Sequence, residues 1–280
     1  MNTTSLTQDQ VSQYQKDGFI VIKGFFNRQE ASRLYEIASS DDVLNNNAFD
    51  FGDTQGKRTK LTLWYTPGND PYGMMVKSER MLNAVAGLLG RQSPICHFHS
   101  KLMQKEPRVG GAWEWHQDYG YWYKNGFIFP EQMMSVMVAL TEANIENGCL
   151  QVIRGSHVMG RIEHTFAGEQ QGADMAFVNE ALKHMPLEYV ELQPGDALFF
   201  HSNILHRSEA NNSDRPRWSF ISCYNLETNK PYMKETPSSS YTPLQMVTDQ
   251  EMTAALESGS TLSVSEAEFW SKEKDLAHRK

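Results

Sequence analysis

Short apolar segments separated by turn residues dominate the middle of the chain. β-Branched and aromatic residues bounded by Gly, Pro and Asn predict strands. Segments of this kind span residues 19–26, 135–141, 149–153, 189–192, 197–200 and 218–224. Several short strands with turns between them are typical of a sandwich or jelly roll. The pattern therefore predicts a mainly β protein.

Helical spacing appears mostly before these strands. Thr7 and Gln10 form a capping-box pattern, and Gly18 is suited to end the helix that follows. Further helices are predicted at about 28–38 and 78–89, and residues 168–185 form a helix-prone insertion between strands. The stretch 40–70 has little apolar periodicity and is predicted to be loop-rich.

The length and composition favour one elaborated globular domain. The 280 residues are 40% hydrophobic and 21% charged, which is enough apolar material for one packed interior. We expect a single domain over 1–280, with its core at about 18–226. The C-terminal extension 227–280 is rich in Pro, Ser and Thr before an acidic helical stretch, and it folds over the barrel or partly disorders.

Charge and cysteine usage restrict the partners. A formal net charge of −8 argues against nucleic acid, because phosphate-backbone binding needs a basic face. The chain lacks an apolar run long enough to span a membrane, and its N-terminus is polar where a signal peptide would be apolar. Three scattered cysteines indicate no disulfide framework. We expect a soluble cytoplasmic protein.

A candidate metal site begins at His116 and Asp118. In an extended segment, side chains two positions apart leave the same face, so imidazole and carboxylate can converge on one ion. His206, just beyond a predicted strand, is the preferred third ligand, while three other histidines near strands remain candidates: His97, His99 and His201. Two His and one carboxylate form the facial triad of non-haem Fe(II) oxygenases.

An arginine supports the same chemistry. Arg217 follows His206 by 11 positions and begins the next predicted strand, so it can point into the same cavity. A guanidinium group is suited to a carboxylate such as the distal one of 2-oxoglutarate.

Several motifs together resemble the phytanoyl-CoA dioxygenase family, which includes ectoine hydroxylase. The resemblance runs from the segment 18–22 to residues 224–225. Its most specific pieces are Trp-His-Gln-Asp at 115–118, Glu-Asn-Gly-Cys-Leu at 146–150, Gly-Ser-His at 155–157, Pro-Gly-Asp at 194–196 and His-Arg-Ser at 206–208, followed by Arg217. Arg154 stands where the family usually has Pro before Gly-Ser-His, and this departure concerns substrate contacts.

The resemblance implies a double-stranded β-helix, a cupin-like jelly roll, with flanking α-helices. It implies that His116, Asp118 and His206 bind Fe(II), since only His206 precedes Arg-Ser in the family's manner. It also implies that Arg217 and Ser208 hold the C5 carboxylate of 2-oxoglutarate, which is consumed with O2. Trp122 matches an aromatic near the substrate in ectoine hydroxylase.

Further substrate contacts are hypotheses. Tyr119 belongs to the aromatic group around the first two ligands, and Arg58, Lys101 and Arg154 are basic residues that could bind an anionic substrate. These basic residues favour a small polar or anionic metabolite, with a natural-product scaffold as the alternative.

The reaction expected is hydroxylation of an unactivated C–H bond, with succinate and CO2 as coproducts. In the resembled family, halogenases lack the carboxylate ligand, and here Asp118 is present. The alternatives are desaturation or ring formation on a natural-product scaffold with the same cofactors. A zinc hydrolase, a cupin-like isomerase and an inert jelly-roll binding protein are further alternatives.

Overall fold

The computed structural model describes residues 5–167, 169–233, 241, 243–262 and 267–271. Its helices, numbered in chain order, are α1 (Gln8–Asp17), α2 (Arg28–Ser40), α3 (Asp42–Asn46), α4 (Pro71–Val76), α5 (Glu79–Leu89), α6 (Asp118–Trp122), α7 (Met175–His184) and α8 (Asp249–Ser258). The predicted capping box begins α1, and Gly18 ends it in the left-handed conformation, as its pattern indicates.

Thirteen strands are formed by the described residues. They are β1 (Phe19–Ile22), β2 (Phe49–Gly52), β3 (Arg58–Trp64), β4 (Ile95–Lys105), β5 (Trp113–His116), β6 (Met133–Ala139), β7 (Leu150–Ile153), β8 (His164–Ala167), β9 (Gln170–Ala173), β10 (Leu187–Val190), β11 (Ala197–His201), β12 (His206–Ser208) and β13 (Arg217–Leu226).

Two antiparallel sheets form the sandwich. The larger has the order β1-β11-β6-β13-β4-β3-β2, and the smaller has the order β10-β7-β12-β5. One buried apolar cluster contains residues from both sheets, including Val152 of the smaller sheet and Met137 and Leu198 of the larger. The two sheets therefore face each other across a shared core, as the predicted jelly roll requires.

A second core lies on the other face of the large sheet. Alternate residues of β13, such as Phe220 and Tyr224, join a buried cluster with Leu34 of α2 and Val85 of α5, while Ile221 and Cys223 belong to the cluster between the sheets. Because successive strand residues point to opposite faces, one strand contributes to both cores. The helices thus cover one face of the sheet and leave the other for the site.

The C-terminal part of the chain returns to this scaffold. Helix α8 buries Met252 and Leu256 in the helix-covered core, and the segment 267–271 lies beside β3. There the N–H of Trp270 donates to the carbonyl of Leu63 at 2.9 Å. The segment extends the large sheet where β2 no longer pairs with β3. The stretch 234–240, predicted as part of the Pro- and Ser-rich tail, lies outside the described residues.

The expected elements and the structure differ in two stretches of the chain. The stretch 40–70 holds α3, β2 and β3 instead of loops, and no bounds were predicted for the long strand β4 at 95–105, although His97 and His99 were placed near strands. The burial of β3 alternates only in part, and its sequence mixes polar and apolar residues, so its period is weak. Helices and strands contain about equal numbers of described residues, so the helices that flank the predicted jelly roll form a larger share of the chain than a mainly β pattern indicates.

No helix within the described ranges is long and apolar enough to cross a membrane.

The turn before β11 yields a prediction about stability. Gly195 has φ +93°, and a Cβ there would lie 2.2 Å from the carbonyl oxygen of Phe26. We expect Gly195→Ala to lower the free energy of unfolding by about 2 kcal/mol or more, since it combines backbone strain with a clash. Urea denaturation followed by circular dichroism measures this change.

Gly56→Ala is the matched control. Gly56 has φ +85°, but a Cβ would meet nothing within 4 Å, so only the conformational cost of about 1 kcal/mol applies. Equal losses in the two variants would contradict the close approach of Gly195 to Phe26.

Candidate metal centre

The smaller sheet brings two histidines together. In the pairing of β5 with β12, His116 lies directly opposite His206, and their ring centroids are 4.0 Å apart. The Nδ1 atom of His116 donates to the carbonyl of Glu114 at 2.7 Å, and that of His206 donates to Ile204 at 3.0 Å. These hydrogen bonds select the tautomer whose Nε2 carries a lone pair, which is the form that binds metals.

Asp118 reaches the same point from the end of β5. The expectation that His116 and Asp118 lie along one extended segment needs a correction, because Asp118 is the first residue of α6. Gln117 between them is still extended, with φ −111° and ψ 133°. Side chains on its two sides therefore share a face, and the Asp118 Oδ1 atom lies 3.9 Å from His116 Nε2.

Gln117 holds the surrounding loops in place. Its side-chain amide donates to the carbonyls of Gly160 and Asn203, both at 2.8 Å, and its Oε1 accepts from the N–H of Ile162 at 2.7 Å. Asn203 lies three residues before His206, so one buried side chain connects the segments that carry both histidines. The Trp-His-Gln-Asp motif thus has a structural residue between its two ligand candidates.

The Asp118 carboxylate is buried and held by two side chains. The Ser135 hydroxyl donates to Oδ2 at 2.5 Å, and the Lys101 ammonium lies 3.4 Å from Oδ1. Burial by itself raises the pKa of Asp118, but the positive charge of Lys101, the neighbouring histidines and the Ser135 hydrogen bond together lower it below the ordinary value. The carboxylate is therefore ionised, as a metal ligand must be.

Together the three side chains form a site with the chemistry of a metal centre. Their ligand atoms lie within 4.8 Å of one another, and among the described residues they are the one such group of His, Cys, Asp and Glu. Burial keeps the pKa of both histidines below the ordinary value, so the imidazoles are neutral. Two neutral imidazoles and one carboxylate fit a divalent ion such as Fe(II).

The rival histidines have other surroundings. His201 accepts the N–H of Asn203 on Nδ1, and His97 is bonded to the carbonyl of Tyr65 and to Ser100. His99 lines the same cavity as the three ligand candidates but does not belong to their group. Of the candidates weighed from the sequence, His206 is the one that meets His116 and Asp118.

A buried arginine lies in the same cavity. Arg217 is 1% exposed, and none of its three guanidinium nitrogens has a hydrogen-bond partner among the described residues. Burial lowers its pKa to about 10, so the group is still charged at neutral pH. A buried cation without a partner is costly, which indicates that a ligand normally supplies its anion.

Lys105 and Ser208 lie near this arginine. Arg217 and Lys105 are directly opposite each other in the pairing of β13 with β4. The Lys105 ammonium donates to the Ser208 hydroxyl at 2.8 Å. Burial and then the charge of Arg217 keep the pKa of Lys105 well below the ordinary value. Ser208 accepts from Lys105 and retains its own O–H for a ligand.

One cavity joins these groups. It measures about 1120 Å³ including its open mouth, and its lining contains all the predicted ligand and cosubstrate residues together with Lys101 and Trp122. The other predicted substrate residues are not in the lining. Tyr119 is buried and donates to the carbonyl of Phe127 at 3.0 Å.

Two basic residues predicted to contact substrate are engaged elsewhere. Arg58 pairs with Glu169 at 3.0 Å, and Arg154 pairs with Glu188; both arginines are well exposed and neither belongs to the cavity lining. Three residues of the site were not predicted: Lys105, Ser135 and Trp270. Ser135 is a polar residue within the apolar run of β6, a signal that could have identified it, whereas Lys105 lies between Gln104 and Glu106 and has no such signal.

The fold and the site define a double-stranded β-helix protein with a buried two-histidine, one-carboxylate centre. The sequence model of the phytanoyl-CoA dioxygenase family matches residues 14–219, and the chain belongs to this family.

Two relatives show how far the similarity extends. A 2-aminoethylphosphonate dioxygenase from an uncultured bacterium is 29% identical over 229 residues, which cover 78% of this chain and 81% of the relative. Phytanoyl-CoA dioxygenase domain-containing protein 1 from Mus musculus is 24% identical over 265 residues, covering 77% and 88%.

Solved structures share the fold. EctD from S. alaskensis with bound Fe has a TM-score of 0.70 and 21% identity, covering 89% of both chains. The epimerase SnoN from nogalamycin biosynthesis, solved with Fe3+, alpha-ketoglutarate and nogalamycin RO, has a TM-score of 0.68 and 21% identity, covering 94% of this chain and 97% of SnoN. The predicted jelly-roll fold is confirmed.

Substitution of the third histidine tests the ligand set. We expect His206→Ala to abolish stoichiometric Co(II) binding, because two remaining ligands leave most of the coordination sphere open. His201→Ala changes a histidine five residues away and is expected to bind Co(II) like the wild type. Calorimetric titration compares them, and loss of binding in His201→Ala alone would contradict the assignment.

The Ser135 hydrogen bond generates a second prediction. Without it, Oδ2 of Asp118 loses a buried donor, so we expect Ser135→Ala to weaken Co(II) binding by about 10- to 100-fold. Ser219 on β13 is also buried, but its hydroxyl has no partner among the described residues. Ser219→Ala is therefore the control, and equal affinities in the two variants would show that Ser135 does not orient Asp118.

Proposed function

We propose that this protein is an Fe(II)- and 2-oxoglutarate-dependent dioxygenase that hydroxylates an unactivated C–H bond of a small molecule. The observation that carries the proposal is the buried guanidinium of Arg217, which has no partner among the described residues and lies in the cavity of the His-Asp-His group. A metal site alone suits many reactions, whereas an added cation without its anion indicates an anionic ligand, for which a carboxylate is well suited. Membership of the phytanoyl-CoA dioxygenase family supports the same chemistry.

His116, Asp118 and His206 are the proposed iron ligands. Their hydrogen bonds to Glu114, Ser135 and Ile204 hold the ligand atoms before the ion arrives. Three protein ligands on one face leave three positions for a bidentate cosubstrate and oxygen. Because Asp118 fills the carboxylate position, no place remains there for a chloride ion, and hydroxylation is favoured over halogenation.

Arg217 and Ser208 are the proposed partners of the 2-oxoglutarate C5 carboxylate. The guanidinium offers its unused donors, and the Ser208 hydroxyl adds one more while Lys105 stabilises its oxygen. A dicarboxylate bound there supplies the negative charge that the buried arginine lacks. EctD from S. alaskensis was solved in a complex with 2-oxoglutarate and 5-hydroxyectoine. That structure has a TM-score of 0.69 to this chain.

The bound iron and 2-oxoglutarate supply the oxidising power, with succinate and CO2 as coproducts. The chain's own residues orient the reactants and exclude water. Trp122 and Phe200 line the cavity together with the ligand residues, and both are buried. Lys101 also lines the cavity, where its charge is paired with Oδ1 of Asp118, so we retain it as a contact for a carbonyl oxygen of the substrate.

Related folds support other outcomes of the same oxidation. One structural neighbour is described as an epimerase and another as a carbocyclase, both from nogalamycin biosynthesis. Epimerisation, ring formation or desaturation on a natural-product scaffold is therefore the second candidate function. Mass spectrometry of the product separates them, since hydroxylation adds one oxygen atom, whereas desaturation and ring closure remove two hydrogens and epimerisation leaves the mass unchanged.

A cytoplasmic location remains part of the proposal. Cys96, Cys149 and Cys223 are all buried free thiols, and burial raises the pKa of each above the ordinary value. Such inert thiols suit a reducing compartment.

The proposal is tested by cosubstrate turnover. Purified protein with Fe(II) and ascorbate is expected to convert 2-oxoglutarate to succinate, slowly without substrate and faster with one. Protein that binds Fe(II) but neither binds 2-oxoglutarate nor forms succinate would contradict the proposed function.

Arg217 gives the sharpest variant. We expect Arg217→Gln to weaken 2-oxoglutarate binding on the order of 100-fold while Co(II) affinity stays within about threefold, because a buried charge pair is worth several kcal/mol. Arg215→Gln is the matched control, since Arg215 is exposed and pairs with Glu142 at 3.0 Å. Calorimetric titration of the Co(II)-loaded variants measures both, and equal 2-oxoglutarate affinities would remove Arg217 from the cosubstrate site.

A further inference from the structure

An apolar chamber extends from the metal centre towards the edge of the large sheet. Seven of the cavity-lining residues form it, and we call it the outer chamber: Phe51, Leu61, Leu63, Tyr65, Met103, Trp113 and Trp270. Four of them, Phe51, Leu61, Met103 and Trp270, are buried and form one apolar cluster. The outer chamber is therefore the apolar part of the cavity, and the packed cluster of these side chains forms its wall.

Strand register connects the outer chamber to the metal ligands. Leu63 of β3 lies directly opposite Lys101 of β4, whose ammonium is 3.4 Å from Asp118 Oδ1. Trp113 connects the outer chamber to a second ligand candidate, His116. The centroid of the Trp113 ring is 6.4 Å from that of His116 and 5.4 Å from that of Phe51. A molecule in the outer chamber thus lies beside the reacting centre.

The C-terminal segment 267–271 completes this wall. The ring centroid of Trp270 lies 4.7 Å from that of Phe49 and 5.9 Å from that of Phe51. The rings of Trp270 and Phe49 are nearly perpendicular to each other. The backbone N–H of Trp270 donates to the backbone carbonyl of Leu63, and Phe269 forms an antiparallel β-bridge with Trp64. Residues 267–271 lie beyond the part of the chain matched by the family, which ends at 219. Trp270 is therefore the one residue of the outer chamber that lies outside the part of the chain matched by the family.

The charges of the cavity are already engaged. Lys101 pairs with Asp118, and Arg207 pairs with Glu209 at 2.7 Å and donates to Gln151 at 2.9 Å. Arg217 has its proposed partner in 2-oxoglutarate. Among the described lining residues, Asp118 is the one carboxylate, so a cationic substrate has no free counter-charge there.

One more buried polar atom of the described cavity lining lacks a hydrogen-bond partner. It is the Nε2 atom of His99. Like the guanidinium of Arg217, this nitrogen belongs to the cavity lining and has no hydrogen-bond partner among the described residues. Its ring lies 5.7 Å from Trp122 and 6.4 Å from Tyr65. His99 precedes Lys101 by two positions on β4, about 7 Å along the strand, so it shares the cavity face.

We propose that the substrate is a neutral, largely apolar molecule carrying a ring, which packs in the outer chamber against Trp270 and hydrogen-bonds His99. The proposal rests on the proposed function, because it names the molecule that this metal centre oxidises. A ring packed against aromatic side chains gains binding free energy in addition to the gain from the apolar area that it buries. Apolar walls disfavour zwitterions, because the charged groups would lose water without gaining hydrogen-bond partners. Trp270 is then a specificity-determining residue.

Ligand-detected NMR tests the substrate class without turnover. The protein is loaded with Zn(II), which is redox-inactive, and with 2-oxoglutarate. The probes are three neutral bicyclic ketones, 1-tetralone, 1-indanone and 4-chromanone, and three zwitterions, L-proline, ectoine and 2-aminoethylphosphonate. We expect at least one ketone to bind 10-fold or more tightly than every zwitterion. Equal or tighter binding of a zwitterion, or no binding of any ketone, would overturn the proposal.

Variants locate the bound ring. Trp270→Leu is expected to weaken ketone binding about 10-fold, corresponding to the loss of one aromatic wall. Phe269→Leu is the matched control, since Phe269 packs against the helix-covered core instead of the cavity. Leu63→Phe fills the outer chamber from β3 and is expected to weaken binding similarly. Ketone binding that neither Trp270→Leu nor Leu63→Phe changes would show that the ring binds elsewhere.

The two proposals fail differently. If the ketones bind as expected but 2-oxoglutarate is never turned over, the outer chamber is supported and the proposed function is not. If a zwitterion binds more tightly and stimulates succinate formation, the function stands and the inferred substrate class is wrong.

Discussion

The register between β5 and β12 is the constraint on which the site depends. Because His116 and His206 lie directly opposite each other, their rings meet at 4.0 Å, and Asp118 joins them after one extended residue. A shift of one residue would turn one histidine to the other face of the sheet and separate the ligands. Gln117 connects the loops around both strands, so the motif residue between the ligands helps to keep this register.

Buried positive charge is the second organising feature. Lys101 forms an ion pair with Asp118, and Lys105 donates hydrogen bonds to hydroxyl and carbonyl oxygens at the end of β12. Arg217 has no hydrogen-bond partner among the described residues. Burial of such a group costs stability unless a ligand compensates it. The cavity therefore combines a metal centre with a place for an anion, and the apolar outer chamber lies beside them. This division of one cavity into charged and apolar parts suits a charged cosubstrate beside a less polar substrate.

Much of the site was predictable because its chemistry is local in the sequence. His116, Asp118, His206, Ser208 and Arg217 lie in short motifs, and the structure brings all five to one cavity. Residues defined by strand pairing were not predictable: Lys105 acquires its place from its register with Arg217, and Trp270 from a segment that pairs with β3 far away in the chain. Conversely, Arg58 and Arg154 were chosen by charge alone, and both form exposed ion pairs instead. Weak alternation in β3 concealed the sheet edge that forms the outer chamber.

A crystal structure of the protein with Mn(II), which replaces Fe(II) without supporting turnover, and 2-oxoglutarate tests the central claim most directly. We predict that the metal is bound by His116, Asp118 and His206, and that the far carboxylate of 2-oxoglutarate lies within hydrogen-bond distance of the Arg217 guanidinium. A cosubstrate bound with its far carboxylate elsewhere, leaving Arg217 still without a partner, would contradict it.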